Sequence, residues 1–185
     1  FGPRFTAGLF HSVSSIASIR AALEHQAKWD ALVLFDPPLI APEGHELRSK
    51  GQRIDDKLSE FARNRPHHFD DPSEQAAIYR GQIGREWVEG ADLDMAWAVT
   101  RPDPAGGYML SCPGEFEARI YQDNARFNSY EALAALRQPT LIIGADPQHG
   151  RPMTPAIVGP VAATEFGLPH IIVPGTSHML QIEKP

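Results

Sequence analysis

Residues 5–15 read FTAGLFHSVSS, and in them a short apolar run passes directly into helical spacing. Residues 5–10 show no alternation, which is typical of a strand buried on both faces. A helix is predicted over residues 14–28, and a second apolar strand over residues 31–35. The helix has apolar side chains at helical spacing, namely Ile16, Ile19, Leu23 and Ala27. A strand, a helix and a strand in this order predict two parallel strands joined by a crossover.

The C-terminal part of the chain repeats this pattern. Buried strands are predicted at residues 140–144 and 170–173, and a weak helix between them at residues 154–166. We predict that all four strands are parallel and lie side by side in chain order.

About 100 residues separate the second and third predicted strands, which is too many for a plain crossover. Residues 38–137 are polar, interrupted by prolines and mainly helical in pattern. We therefore predict an α/β fold with a parallel-sheet core at residues 1–37 and 138–185. A helical cap at residues 38–137 is expected to cover the C-terminal edge of the sheet.

Composition excludes several classes of partner. The 185 residues carry a net charge of −6 and no run of Lys or Arg, so neither nucleic acid nor an anionic membrane is an expected partner. No apolar stretch reaches the roughly 18–20 residues of a membrane span. The single cysteine, Cys112, suits a reducing compartment, and we expect a cytoplasmic protein. The expected partner is a small-molecule substrate, a homodimer is compatible with the sequence, and no cofactor or metal is expected.

Ser12 lies where a predicted strand turns directly into a helix. Such a turn holds a serine in a strained conformation, with its hydroxyl exposed at the C-terminal edge of the sheet. The N–H of Val13 would then form half of an oxyanion hole at the helix N-terminus. The alternative role for Ser12 is that of a helix N-cap.

Two further side chains are expected at the same edge. Asp146 and His178 each follow a predicted buried strand. The order Ser, Asp, His is that of a hydrolytic triad, in which the histidine is the base and the carboxylate fixes its tautomer. Asp36, which follows the strand at 31–35, is the alternative acid.

These segments resemble the α/β-hydrolase fold family. Residues 11–14 (HSVS) take the place of its nucleophile elbow, and residues 31–37 (ALVLFDP) resemble the next strand. Residues 139–144 (PTLIIG) are similar to the strand that carries the acid, and residues 173–185 (VPGTSHMLQIEKP) resemble the catalytic-histidine segment.

The resemblance implies a serine hydrolase of an ester or related acyl substrate. Ser12 would attack the carbonyl, His178 would shuttle the proton, and Asp146 would orient His178. The chain departs from the family pattern G-x-S-x-G at Phe10 and Ser14. The family's first strands and its second oxyanion donor would precede residue 1, so a piece of a larger hydrolase is expected.

Two other functions stay open at this point. The same fold supports C–C bond hydrolysis, lyase and perhydrolase chemistry, and a non-catalytic member could bind a small molecule or a protein partner. His11 is expected to pack beside the nucleophile or form a pocket wall. Trp87 and Trp97 are expected to line the substrate pocket, the alternative being that they form the core of the cap.

Overall fold

The structure, a computed structural model, describes residues 4–25, 28–150 and 153–185. Its strands are β1 (Ala7–His11), β2 (Ala31–Phe35), β3 (His68–Phe69), β4 (Thr100–Pro102), β5 (Tyr108–Leu110), β6 (Thr140–Ala145) and β7 (His170–Val173). Its helices are α1 (Val13–Glu24), α2 (Arg48–Asn64), α3 (Pro72–Gly81), α4 (Ala91–Val99), α5 (Gly114–Arg126), α6 (Ser129–Ala134), α7 (Thr154–Phe166) and α8 (Leu180–Glu183). The predicted helix at 14–28 is too long, because α1 ends at Glu24. Ala27 lies outside the described residues.

The main sheet has the strand order β1-β2-β6-β7, and every neighbouring pair is parallel. This confirms the predicted α/β class and the predicted order of the four strands. β1 and β2 end in register, with His11 opposite Phe35. The residues that follow these two strands therefore emerge side by side at the C-terminal edge.

Within the described chain, helices cover one face of this sheet. Leu32, Leu34 and Ile142 point to that face and are almost fully buried against α1, α6 and α7. Leu9 and Ile171 point to the opposite face and are 63% and 50% exposed. The prediction of a buried strand is therefore wrong for Leu9 in residues 5–10 and for Ile171 in residues 170–173.

Residues 38–137 connect β2 to β6 and contain α2 to α6, with α2 packed along α5 and α3 along α4. They also contain a small antiparallel sheet, β3-β5-β4, that the sequence did not predict. Tyr130 and Leu133 of α6 pack into the core under the main sheet. The division into core and cap at residues 37/38 and 137/138 stays a prediction. In the part of the chain that the structure describes, no helix is both long enough and apolar enough to cross a membrane.

Candidate active site

Ser12 lies in a strained turn between β1 and α1. Its φ of 54° and ψ of −132° are values that a residue with a side chain rarely adopts. Its N–H still continues the sheet by donating to the carbonyl of Phe35, at 2.9 Å. The helix begins at the next residue, Val13, so the chain passes from strand to helix within one residue. The Ser12 side chain makes no N-capping hydrogen bond.

The hydroxyl groups of Ser14 and Ser15 hold this turn in place. Ser14 Oγ accepts from the His11 N–H at 3.0 Å and donates to the His11 carbonyl at 2.7 Å. Ser15 Oγ donates to the carbonyl of Phe10 at 2.9 Å. These bonds satisfy backbone groups at the end of β1. Ser14 departs from the family pattern, and the bonds of its hydroxyl to this turn could not be predicted from the sequence.

Phe10, a bulky residue where the family has glycine, fits because a glycine lies two residues before it. A Cβ on Gly8 would lie 2.5 Å from Cε2 of the Phe10 ring. The ring packs edge-on against Trp29, with 5.2 Å between the ring centroids. The side chain of Phe10 is therefore directed along the strand and leaves the turn at Ser12 unobstructed.

His178 connects Ser12 to a buried carboxylate. Its Nε2 is 2.9 Å from Ser12 Oγ, and its Nδ1 is 2.6 Å from Asp36 Oδ2. Asp36 is fully buried, and its Oδ1 accepts from the Ala145 N–H at 3.1 Å. Since an ionised carboxylate can only accept, Nδ1 of a neutral His178 carries the proton and Nε2 accepts from the Ser12 hydroxyl.

Asp146, the predicted partner of His178, binds backbone groups instead. Its Oδ2 accepts from the Gly175 N–H and its Oδ1 from the Gln148 N–H, each at 2.9 Å. These two bonds hold the pKa of Asp146 below its usual value. The prediction that Asp146 orients His178 is therefore wrong, and Asp36, the alternative, occupies that position.

Strand register explains why Asp36 and not Asp146 reaches the histidine. Phe35 pairs with Ile143, so Asp36 is level with Gly144. The strand β6 extends one residue further, and Asp146 lies two residues past that level, about 7 Å along the strand. At that distance Asp146 faces the loop after β7 rather than the imidazole.

The loop that carries His178 is fixed from two further sides. His11 Nε2 lies 2.8 Å from the His178 carbonyl, and Glu183 accepts from the Ser177 N–H at 2.6 Å. Burial, and next the neighbouring His178, lower the pKa of His11 to about 4. His11 is therefore neutral near pH 7, and its Nε2–H donates to the carbonyl.

A pocket enclosing about 410 Å³, including its mouth, opens beside Ser12 and His178. The segment after β2, helices α2 and α5, and the start of α7 form its walls. Its lining residues are Ser12, Val13, Pro38, Leu39, Ile40, Ile54, Asp55, Leu58, Tyr121, Met153, Thr154, Pro155 and His178. The sequence predicted that residues 38–137 are mainly helical, but not which of these helices would pack over Ser12.

His11 packs beside the nucleophile, with its ring centroid 4.8 Å from that of His178, which is one of the two roles expected for it. Trp87 and Trp97, which were predicted to line the pocket, are not part of this lining. Trp87 is buried against Tyr79, with ring centroids 5.4 Å apart. Trp97 is half-exposed and packs edge-on against Tyr108, also at 5.4 Å. The prediction is wrong because these aromatic side chains pack within residues 38–137, away from Ser12.

Asp55 is the one carboxyl group in the pocket wall as described. Its side chain is buried, and Oδ2 accepts from Asn124 Nδ2 at 3.0 Å. Burial raises the pKa of Asp55 to about 6, against the opposing effect of the Asn124 bond. Within residues 4–25, 28–150 and 153–185, no three His, Cys, Asp or Glu side chains are grouped so as to bind a metal ion.

Solved structures share the fold of this chain over almost its whole length. An E-2-(acetamidomethylene)succinate hydrolase superposes with a TM-score of 0.77 and 18% identity, over 98% of this chain and 62% of its own. An α/β-hydrolase fold protein from Burkholderia ambifaria gives 0.56 and 20%, over 97% and 62%. The chain has the α/β-hydrolase fold.

A thermophilic esterase from Thermogutta terrifontis also has this fold, with a TM-score of 0.57 and 16% identity over 98% of this chain and 60% of its own. The chain therefore spans about three-fifths of the length of these α/β-hydrolase structures. Comparison of the sequence with protein-family models and with curated proteins gives no match.

Proposed function

We propose that the protein is a serine hydrolase that cleaves an ester or a related acyl substrate. Ser12 is the nucleophile, His178 the general base and acid, and Asp36 the carboxylate that orients His178. The observation that carries the proposal is the pair of contacts from His178, 2.9 Å to Ser12 Oγ and 2.6 Å to Asp36 Oδ2.

Each contact corresponds to one requirement of acyl transfer. Ser12 Oγ attacks the acyl carbon while its proton passes to Nε2 of His178. The positive charge that develops on the imidazole is stabilised by Asp36, which is fully buried and therefore poorly screened by water. His178 then gives the proton to the leaving group, and a water molecule releases the acyl group by the same steps in reverse order.

The developing oxyanion needs hydrogen-bond donors at the position where the carbonyl oxygen will lie. Val13 is the first residue of α1, so its N–H has no acceptor within the helix. It lines the same pocket as Ser12 and His178. We assign the Val13 N–H as one oxyanion donor, favoured further by the helix dipole.

The solved structures add support from their own described activities. They include a hydrolase and an esterase of the same fold. Their identity to this chain is below 25%, so the choice of ester chemistry rests on the local geometry at Ser12 rather than on them.

A fluorophosphonate probe tests this proposal on the full-length protein. The probe should label Ser12, because only an activated serine reacts with it at an appreciable rate. Mass spectrometry of proteolytic peptides locates the adduct. Ser12→Ala should abolish labelling, whereas Ser111→Ala, a change at an exposed serine, should leave it intact.

Labelling at another serine, or none at Ser12 in protein whose circular dichroism shows the native fold, would overturn the proposal. Hydrolysis of p-nitrophenyl acetate and butyrate by the same samples provides the second readout. Ester hydrolysis that persists in Ser12→Ala would equally contradict it.

A further inference from the structure

We propose that Asp55 binds a hydrogen-bond donor of the substrate, such as a hydroxyl, an amide N–H or an ammonium group. The proposal rests on the proposed function, because it names the class of substrate for that same site. It makes Asp55 a residue that determines specificity rather than one that takes part in bond cleavage.

The position of Asp55 brings it within the substrate pocket. It lies on α2 and lines the pocket together with Ser12 and His178. Its neighbours in the same wall, Ile54 and Leu58, are apolar. A single carboxyl group beside apolar side chains can orient a ligand through a specific polar contact.

The hydrogen bonds of Asp55 are incomplete, although the residue is only 4% exposed. Oδ2 accepts from Asn124 Nδ2, and no donor among the described residues reaches Oδ1. An ionised carboxylate can accept about four hydrogen bonds, so Oδ1 still has the capacity to accept one from a ligand in the pocket. A donor on a bound substrate would supply the missing partner.

Asn124 holds the carboxyl group in this position. Its Nδ2 donates both to Asp55 and to the carbonyl of Pro38, at 3.3 Å. Its own Oδ1 is buried without a partner. The amide of Asn124 thus directs its NH₂ group to Asp55 and leaves its own oxygen without a partner. The bond fixes the orientation of Asp55 through Oδ2 and leaves Oδ1 of the carboxyl group for a ligand.

The charge around Asp55 favours a neutral or cationic substrate. The described lining of the pocket contains no Lys or Arg that would balance a substrate carboxylate. The titratable side chains that interact electrostatically with Asp55 are Asp56 on the same helix and Tyr121 on α5. The pKa of Asp55, raised to about 6 by burial, leaves it mostly ionised at neutral pH, when a donor binds most strongly.

Pairs of esters that differ by a hydroxyl in place of a methyl group test the proposal. Three pairs sample both sides of the scissile bond: methyl β-hydroxybutyrate with methyl isovalerate, methyl ω-hydroxyhexanoate with methyl heptanoate, and hydroxyethyl acetate with propyl acetate. The kcat/KM ratio within each pair is measured for the full-length wild type, Asp55→Leu and Asp55→Asn. Asp56→Asn, at the exposed neighbouring carboxylate, is the matched control.

In at least one pair the hydroxyl ester should be favoured by the wild type. That preference should fall about tenfold or more in Asp55→Leu, the effect of losing one hydrogen bond to a charged group, and the change should appear mainly in KM. In Asp55→Asn the amide oxygen can still accept from Asn124, which keeps the helix packing, and the NH₂ group faces the ligand. A substrate hydroxyl can accept from that group, so this variant should lower the preference less. Asp56→Asn should leave it within twofold.

Two failures can be told apart. If the esters are cleaved and Ser12 is labelled, but the ratios are the same in the wild type and in both Asp55 variants, the role of Asp55 is wrong and the hydrolase proposal stands. If no ester is cleaved and Ser12 is not labelled, the proposed function itself is wrong.

Discussion

Replacing Asp36 by asparagine separates the two tasks of this carboxylate, because an amide has one acceptor oxygen where the carboxylate has two. Asp36 now accepts from the Ala145 N–H through Oδ1 and from His178 Nδ1 through Oδ2. If the Asn oxygen keeps the bond to Ala145, its NH₂ group faces Nδ1 of His178. The imidazole must then carry its proton on Nε2, where it can no longer accept the proton of Ser12.

The opposite orientation of the amide is also unfavourable. It keeps the bond to His178 but turns an NH₂ group toward the buried N–H of Ala145, at a cost of about 1–3 kcal/mol. The first orientation should therefore dominate. A wrong tautomer of this kind lowers kcat about 10⁴-fold in the serine protease for which it is documented, and we expect about 10³–10⁴-fold for Asp36→Asn.

Asp146→Asn is the matched control, since it makes the same chemical change in the same edge of the sheet. Asp146 bonds to the backbone N–H groups of Gly175 and Gln148, and the amide would lose one of these bonds. Because Asp146 does not contact His178 and only one of its two backbone bonds is lost, kcat should fall by about tenfold or less.

Hydrolysis of p-nitrophenyl acetate by the full-length protein measures both variants. Circular dichroism and thermal melting should show that each remains folded at the assay temperature. A loss of less than tenfold in Asp36→Asn, or a loss in Asp146→Asn as large as that in Asp36→Asn, would refute the assignment of the acid.

Three other outcomes follow from the geometry. Ser12→Ala and His178→Ala should each remove nearly all esterase activity, and the double variant should be scarcely less active than either, because the two residues act as one unit; additive losses would argue against a shared mechanism. The pKa of His11 is lowered to about 4 in the folded protein, against 6.5 in the unfolded chain. The unfolded chain therefore binds more protons between pH 6.5 and pH 4. The free energy of unfolding should decrease as the pH falls through this range. This decrease should be about 2 kcal/mol larger in the wild type than in His11→Asn, after allowance for solvent screening. Urea unfolding at pH 7, 5.5 and 4.5 measures it. If the free energy of unfolding depends on pH equally in the two proteins, the burial argument is contradicted. Gly8→Ala should lower the stability by about 1–3 kcal/mol and reduce activity, since its Cβ would lie 2.5 Å from the ring of Phe10 and force that ring toward the turn; an unchanged melting temperature would show that the ring has room to move.

The strands of the main sheet could be predicted because their sequence signal is local. Strands in parallel sheets tend to be runs of apolar residues, and each of the four such runs at the two ends of the chain is a strand in the structure. The position of Ser12 followed from the same signal, because it lies at the junction of an apolar run and a helical pattern. Knowledge of the neighbouring strands was not required.

The carboxylate that bonds to His178 could not be chosen from the sequence, because the choice depends on strand register. Asp36 and Asp146 both follow an apolar run directly. The sequence does not show how far along the sheet one strand end lies relative to the next. The backbone pairing sets Asp146 two residues beyond the level of Asp36. That offset comes from long-range packing, which a single sequence without homologues does not reveal.

The small sheet and the pocket were missed for a related reason. Residues 102–107 have the composition of a turn, and Asp103 does bond to Gly107 across that turn, but the flanking strands have three residues each. Strands so short have no periodicity to detect. The pocket wall depends on how α2 and α5 pack over Ser12, and the aromatic residues Trp87 and Trp97, on which the predicted pocket was based, lie elsewhere.

Backbone strain gives evidence for the active site that does not depend on any resemblance. Among the described residues other than glycine, positive φ values occur at Ser12, 54°, and at Asp36, 42°. Each such conformation costs about 1–3 kcal/mol and persists where the surrounding structure enforces it. Glycine would adopt either conformation without strain, so a structural role for the turn alone would favour glycine at both positions.

A helix N-cap is the structural role that would most naturally retain a serine at position 12. An N-cap serine lies in the extended region, and its oxygen accepts from the backbone of the first helical turn. Ser12 has neither property, because its φ is positive and its side chain makes no capping bond. Its hydroxyl lies instead 2.9 Å from His178, whose other nitrogen bonds to the second strained residue, Asp36. The two strained residues of the described chain are thus joined through one imidazole. A purely structural turn would not require this connection, whereas a nucleophile with its base and acid requires it.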